Sequence, residues 1–305
     1  MPPAQPNPSP RVNPPAFAAY VAPAAQTAQL WRLGLGFALI LAVYFGTMAG
    51  IGLAVWAMSG LDVLEDGLSQ IETGASPLTM LVLLASFGGA WLGVWLAARL
   101  LHRRGWRSLF GHPPRVLADF LLGVVMLFGV GGGLALLTLP WLPELSPALP
   151  LSVWLAFLPL ALIGILIQTG AEELVFRGYL QQQLAARFAS PLAWMLLPSA
   201  LFGLAHYAPG EMGSNVWLIV AATGLFGLIA ADLTARTGSL GLAWGLHFAN
   251  NVLAILVISA MPGLDGLALW RLAEADPAVL QPLLYADMAI MVAIWGACRL
   301  WLRAR

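Results

Sequence analysis

The sequence contains few charged residues: Asp, Glu and Arg together make up 9% of 305 residues, and Lys is absent. A soluble domain carries about 25% charged residues, which cover its surface with polar groups. This shortage excludes a water-facing surface, and 60% hydrophobic residues with a mean hydropathy of +0.84 indicate a protein of the lipid bilayer. The 14 basic and 14 acidic residues balance, so the net charge gives no reason to expect a nucleic-acid partner.

Cysteine is almost absent as well, because Cys298 is the single one in the sequence. An intrachain disulfide and a thiolate metal cluster are therefore excluded. All 14 basic residues are Arg, and Ala, Leu and Gly are abundant. This usage hints at a GC-rich bacterial genome, so we expect a multi-pass protein of the bacterial inner (cytoplasmic) membrane.

The chain divides into a polar start and a long apolar remainder. Residues 1–28 are rich in Pro and Ala and have little bulky apolar surface, which predicts a flexible tail. Residues 29–305 are predicted to form one integral membrane domain of the all-α class.

Long apolar runs alternate with short polar breaks through the membrane domain. A spanning helix needs about 20 mostly apolar residues to cross the hydrocarbon layer. The sequence predicts about eight spans, at 31–58, 78–101, 117–141, 151–170, 191–208, 215–234, 239–260 and 281–301.

The distribution of arginine supports this number of spans. With eight spans, thirteen arginines fall on the side of both termini and only Arg271 falls on the other side. The positive-inside rule assigns the Arg-rich side to the cytoplasm. We therefore expect both termini to be cytoplasmic.

Two adjacent glutamates and an arginine lie at the end of the fourth predicted span, and ionisable groups at or within spans are costly and indicate function. Glu173 and Arg177 are four residues apart, on one helix face, in the order that favours an ion pair. Glu172 lies about 100° around the helix and faces another direction. We therefore interpret Glu173 as the partner of Arg177, and Glu172 as the carboxylate left for chemistry.

His206 is predicted to lie level with Glu172. Both residues are 17 positions from Ala189, at the break between the fourth and fifth spans. If the fourth helix continues to Arg187 and turns there, the two helices run antiparallel and the two side chains reach the same depth. A carboxylate facing an imidazole can hold and deprotonate a water molecule.

A third polar group lies in the seventh predicted span. His247 and Asn251 are four residues apart, so both side chains leave one helix face. Their N–H groups suit the stabilisation of a developing oxyanion. Asn250 faces elsewhere and receives no role, and His102, in an Arg-rich loop, is interpreted as a solvated surface residue.

These residues occur in three ordered motifs: Glu172-Glu173-x-x-x-Arg177, Phe202-x-x-x-His206 and His247-x-x-x-Asn251. Together they resemble the motifs of the CPBP intramembrane glutamic endopeptidases, also called the CAAX protease and bacteriocin-processing, or Abi, family. The type II CAAX prenyl endopeptidase is similar. The resemblance covers about residues 165–255.

The resemblance implies an eight-helix protease that cleaves peptide or membrane-protein substrates in a cavity within the bilayer, without a cofactor. It implies that Glu172 and His206 activate water, and that His247 and Asn251 form the oxyanion hole. Glu173 and Arg177 would support the site, as would Phe202, the first residue of the second motif.

Several alternatives remain open from the residues. A zinc-dependent CAAX-type membrane metalloprotease could use Glu172, His206 and His247 as ligands and leave a fourth position for water. A proton-coupled transporter could use buried Glu and His as a relay, although no internal repeat is visible. A non-enzymatic immunity protein is the remaining alternative.

Overall fold

In the computed structural model, the described residues are 15–59, 74, 76–138, 140, 142–260, 264–273 and 277–304. They are predominantly helical, as the composition predicts. The principal helices are α1 (Pro15–Ala25), α2 (Leu30–Ala57), α3 (Pro77–Leu101), α4 (Pro113–Thr138), α5 (Leu151–Arg187), α6 (Leu192–Leu204), α7 (Gly213–Thr237), α8 (Gly241–Val257) and α9 (Ala278–Arg303). Short helical turns occupy Arg107–Phe110 and Pro209–Met212.

Each of the eight predicted spans falls on one of these helices, and the all-α membrane class is confirmed. Six helices (α2, α3, α4, α5, α7 and α9) are long and apolar enough to cross a membrane. The other two, α6 and α8, have fewer than 18 residues. Most residues of the first two turns of α8 are buried, so protein rather than lipid surrounds much of this helix.

The segment Pro15–Ala25, predicted as part of a flexible tail, is instead the helix α1. Phe17 and Ala24 are fully buried, and the ring of Phe17 packs 5.0 Å from that of Trp194. The hydroxyl of Tyr20 donates to the carbonyl of Leu109 at 2.7 Å. The high Pro and Ala content led to the prediction of a flexible tail, although the buried rings of Phe17 and Tyr20 pack this segment against the bundle. Residues 1–14 of the predicted tail lie outside the described residues.

His102 is buried, which contradicts its interpretation as a solvated residue. Its Nε2 lies 2.8 Å from the hydroxyl of Tyr179, and its Nδ1 lies 3.1 Å from the hydroxyl of Thr27. Burial lowers the pKa of His102 to about 4, so the ring is neutral at pH 7. The residue therefore joins α5 to the connection between α1 and α2.

Close contact between α4 and α8 depends on glycine. A Cβ at Gly241 would lie 2.1 Å from the carbonyl oxygen of Val116, and one at Gly245 would lie 2.0 Å from that of Phe120. Small residues at such positions let two helix backbones approach. This packing fixes the position of α8, which carries His247.

A small sheet joins the α4–α5 and α8–α9 connections at the opposite end of the bundle from the Arg-rich loops. It contains β1 (Leu145–Pro147), β2 (Ile258–Ser259) and β3 (Trp270–Leu272), in the order β1-β3-β2. The β1–β3 pair is antiparallel and the β2–β3 pair is parallel. The strands β1 and β2 lie next to the start of α5 and the end of α8, the two helices that carry the glutamates and His247.

Candidate active site

The two glutamates lie where α5 changes its helical geometry. Regular α-helix ends at Glu173, and residues Leu174–Gln181 continue as π-helix. The helix as a whole extends to Arg187, as the sequence interpretation required. π-Helical turns are rare and often occur at functional sites, because they redirect the side chains of adjacent turns.

Glu173 is completely buried and binds two positively polarised groups through one oxygen. Its Oε1 accepts from Nη1 of Arg177 at 3.1 Å and from Nδ1 of His247 at 2.8 Å. The predicted pair with Arg177 is therefore confirmed. The contact with His247 was not predicted, because it depends on how α8 packs against α5.

Glu172 lies beside the same imidazole, on its other nitrogen. Its Oε2 is 3.4 Å from Nε2 of His247, and its Oε1 accepts from Nε2 of Gln168 at 2.8 Å. The ring of His247 therefore lies between the two carboxylates. Because a carboxylate ion only accepts hydrogen bonds, Nδ1 of His247 carries the proton shared with Glu173.

His206 is held in one tautomer by its own helix. Its Nδ1 lies 2.9 Å from the carbonyl oxygen of Phe202, so Nδ1 is the donor and Nε2 is free of that hydrogen bond. The sequence analysis placed His206 opposite Glu172. The two side chains are not hydrogen-bonded to each other, although both line the same cavity.

The aromatic ring of Phe202 contacts three residues of the site: His206, His247 and Arg177. The ring packs 4.9 Å from that of His206 and 6.0 Å from that of His247. The guanidinium carbon of Arg177 lies 4.7 Å from the centre of the same ring, at a cation–π distance. Phe202 therefore separates the charged group of Arg177 from the cavity side of His206.

Asn251 reaches the glutamates through a residue that the sequence analysis missed. Its Nδ2 donates to Oε1 of Gln168 at 2.9 Å, and Gln168 in turn donates to Glu172. His247 and Asn251 thus bind different partners on α5 rather than one common point. The spacing of four residues between Gln168 and Glu172, on one helix face, was the signal that could have revealed Gln168.

These groups form one end of a cavity of about 540 Å³. Gln168, Glu172, His206, His247, Asn250 and Asn251 provide the polar wall. The opposite wall comes from α9 and is apolar except for Asp287, with Leu283, Leu284, Met288 and Met291 around it. Asp287 lies well inside α9. A cavity of this size accommodates a segment of peptide.

No cluster of three His, Cys, Asp or Glu side chains with metal-binding geometry occurs within the described part of the chain. In particular, Glu172, His206 and His247 do not converge as three ligands in this arrangement. What the residues provide is a carboxylate, two imidazoles and two amides on the wall of one cavity.

Comparison with known proteins gives one family and one relative. Residues 151–253 match the family described as type II CAAX prenyl endopeptidase Rce1-like. The uncharacterized protein YyaK of Bacillus subtilis (strain 168) is 31% identical over 173 residues, which are 55% of this chain and 57% of that protein. The match therefore spans little more than half of the relative's length. No solved structure matches the chain significantly.

The family match confirms the resemblance drawn from the three motifs. It extends from α5 into α8 and includes every motif residue, from Glu172 in α5 to Asn251 in α8. The helices α1 to α4 and α9 lie outside it. Residues 151–253 of this multi-pass membrane protein are therefore similar to the type II CAAX prenyl endopeptidase Rce1-like family.

Proposed function

We propose that the protein is an intramembrane glutamic endopeptidase that hydrolyses peptide bonds of membrane-associated substrates without a metal. The observation that carries this proposal is that Glu172, His206 and His247, all within the region that matches the family, line one cavity. The cavity is lined by helices that cross the apolar layer, so a substrate would reach it from the membrane.

Glu172 would act as the general base. Its carboxylate takes a proton from a water molecule, and the water oxygen attacks the carbonyl carbon of the scissile bond. The proton then passes to the leaving amine, which gives one carboxylic acid and one amine product. The hydrogen bond from Gln168 supports this role, because it holds one oxygen of Glu172 and leaves the other towards His247.

His206 would position the attacking water. Its Nδ1 is occupied by the carbonyl of Phe202, so Nε2 is the nitrogen that can contact a water molecule. The aromatic contact with Phe202 keeps the ring from turning. This division of labour retains the roles that the family resemblance implies for Glu172 and His206.

His247 and Asn251 would stabilise the negative oxygen of the tetrahedral intermediate. Nδ1 of His247 is occupied by Glu173, and Nε2 is the nitrogen that His247 would present to the oxyanion. Asn251 has a second amide hydrogen beyond the one given to Gln168. Glu173 and Arg177 would hold His247 in place from the buried side.

The direct test is cleavage by the purified protein of a panel of membrane-inserted peptides in bilayers. Wild type is compared with Glu172→Gln and with Glu144→Gln, which removes a charge at an exposed position outside the cavity. We expect cleavage by wild type and by Glu144→Gln, and none by Glu172→Gln. Full activity of the Glu172 variant would refute the assignment of the base.

The location of the protein follows from the same proposal. We infer that the protein lies in a bacterial inner membrane. All of its basic residues are Arg, and Ala, Leu and Gly are abundant, as in proteins of GC-rich bacteria, and its relative YyaK comes from Bacillus subtilis. Both termini would be cytoplasmic, since the ends of α7 and α9 and the start of α4 share the Arg-rich side.

A further inference from the structure

A second, basic pocket of about 630 Å³ lies at the Arg-rich end of the bundle, where α4 begins and α7 and α9 end. It shares no lining residue with the cavity beside Glu172. Its polar and apolar lining comes from Arg115, Asp119, Arg236, Arg299, Leu302 and Arg303.

The carboxylate of Asp232 contacts two of these arginines, Arg236 and Arg299. Nε of Arg236 donates to both oxygens of Asp232 at 3.0 and 2.9 Å, and Nε of Arg299 lies 3.9 Å from Oδ2. Trp295 donates to the same Oδ2 at 2.8 Å, which fixes the carboxylate. The terminal Nη groups of both arginines form no hydrogen bond within the described residues and stay available to the pocket.

Positive charge exceeds negative charge around the pocket. The acidic groups facing it are Asp119 of α4, which is buried 3.5 Å from Arg115, and Asp232 of α7. Four guanidinium groups therefore share two carboxylates, and Arg303 forms no ion pair with a described residue. Arg299 and Arg303 are four residues apart on one helix, where like charges repel.

We propose that this pocket binds the phosphate group of an anionic phospholipid in the adjacent leaflet. Guanidinium groups pair with phosphate through two parallel hydrogen bonds, and Nη atoms are the donors that this geometry uses. The helix ends lie at the level of lipid head groups, and basic pockets between helices at this level suit such lipids. Leu300 and Trp301, adjacent in sequence to the pocket residues Arg299 and Leu302, are exposed on α9 and offer an apolar surface to the acyl chains.

Arginine at this end of the bundle is expected for any membrane protein with this topology. Arg103 and Arg107 are two such residues, and both are exposed and outside the pocket. They provide a control with the same change of charge on the same side. The proposal does not depend on proteolysis, and Glu172→Gln should bind the lipid like wild type.

The test measures retained lipid by native mass spectrometry and thermal stability in bilayers. Phosphatidylglycerol is titrated against phosphatidylcholine with the same acyl chains, for wild type, Arg299→Gln/Arg303→Gln and the control Arg103→Gln/Arg107→Gln. We expect saturable retention of phosphatidylglycerol by wild type and by the control. In the pocket variant the affinity should fall about tenfold or more. If the double variant does not fold, Arg303→Gln alone, at an exposed position, should still weaken binding.

Three results would overturn the proposal. Equal retention of both lipids would show that no anion is preferred, and an equal loss in the control would show a general surface charge effect. In a third arm, inorganic phosphate competes with the lipid at the same concentration. Complete displacement would identify free phosphate, not a lipid, as the ligand.

Discussion

The side chains of Glu173 and His247, 74 positions apart in the sequence, are joined by a hydrogen bond of 2.8 Å between Oε1 and Nδ1. The same oxygen accepts from Arg177, and the other nitrogen of the imidazole lies near Glu172. The two neighbouring glutamates therefore enclose one histidine, with Glu173 on the buried side and Glu172 on the cavity side. Variants of these two residues should differ in their effects.

Glu172→Gln should abolish cleavage and leave the free energy of unfolding near that of wild type, since Glu172 is partly exposed to the cavity. Glu173→Gln should lower the free energy of unfolding by about 3–5 kcal/mol, because it leaves Arg177 without its buried carboxylate. Denaturation in detergent and peptide cleavage measure the two effects separately. An equal loss of stability in both variants would contradict this division.

Asn251→Ala should lower the rate of the chemical step by about 10²- to 10³-fold, the usual effect of removing one oxyanion donor. KM should change little if the amide acts only on the transition state. The control is Asn250→Ala, which alters the same cavity wall at the neighbouring residue. A large rise in KM with an unchanged kcat would instead assign Asn251 to substrate binding.

Cleavage should persist after exhaustive treatment with a strong chelator. The reason is that Glu172 and His247 contact each other and their neighbours, while His206 is bound to its own helix backbone. Metal content and activity are measured on the same sample. Stoichiometric zinc, with activity lost on its removal and restored on its return, would show that the metalloprotease alternative is correct.

A cysteine at position 105 should report the orientation of the Arg-rich side. Gly105 is exposed, and a Cβ there meets no atom within 4 Å, so Gly105→Cys should not disturb the fold. In spheroplasts it should react with a membrane-permeant maleimide and resist an impermeant one. Glu144→Cys, on the opposite side, should react with both, and native Cys298 is buried. The reverse pattern would invert the topology.

Phe17→Ala should destabilise the protein by about 3–5 kcal/mol, because the ring is fully buried against Trp194. Phe45→Ala removes the same atoms from an exposed position on α2 and should cost much less. Thermal unfolding in detergent compares the two. Equal stabilities would show that α1 does not contribute to the folded core.

Hydropathy alone located the helices α2 to α9, six of which are long and apolar enough to cross a membrane, because the apolar runs are continuous and separated by polar breaks. Helical spacing also predicted the Glu173–Arg177 pair, since both residues lie on one helix. The Glu172–His247 contact and the Gln168–Asn251 bond were not predictable in the same way. They depend on the packing of α8 against α5, which one sequence does not specify. Composition misled the interpretation of α1, where Phe17 and Tyr20 outweigh the surrounding Pro and Ala.

The three-stranded sheet limits how the cavity can change shape. It links the start of α5 to the end of α8, and Nε1 of Trp154 adds a hydrogen bond of 2.8 Å to the carbonyl of Leu256. These contacts join the two helices that carry Glu172 and His247 at one end. If the cavity widens to admit a polypeptide, α5 and α8 separate least at the sheet and most at their far ends. The strand β3 is the last element before α9, so the sheet also ties the start of this third cavity wall to α5 and α8.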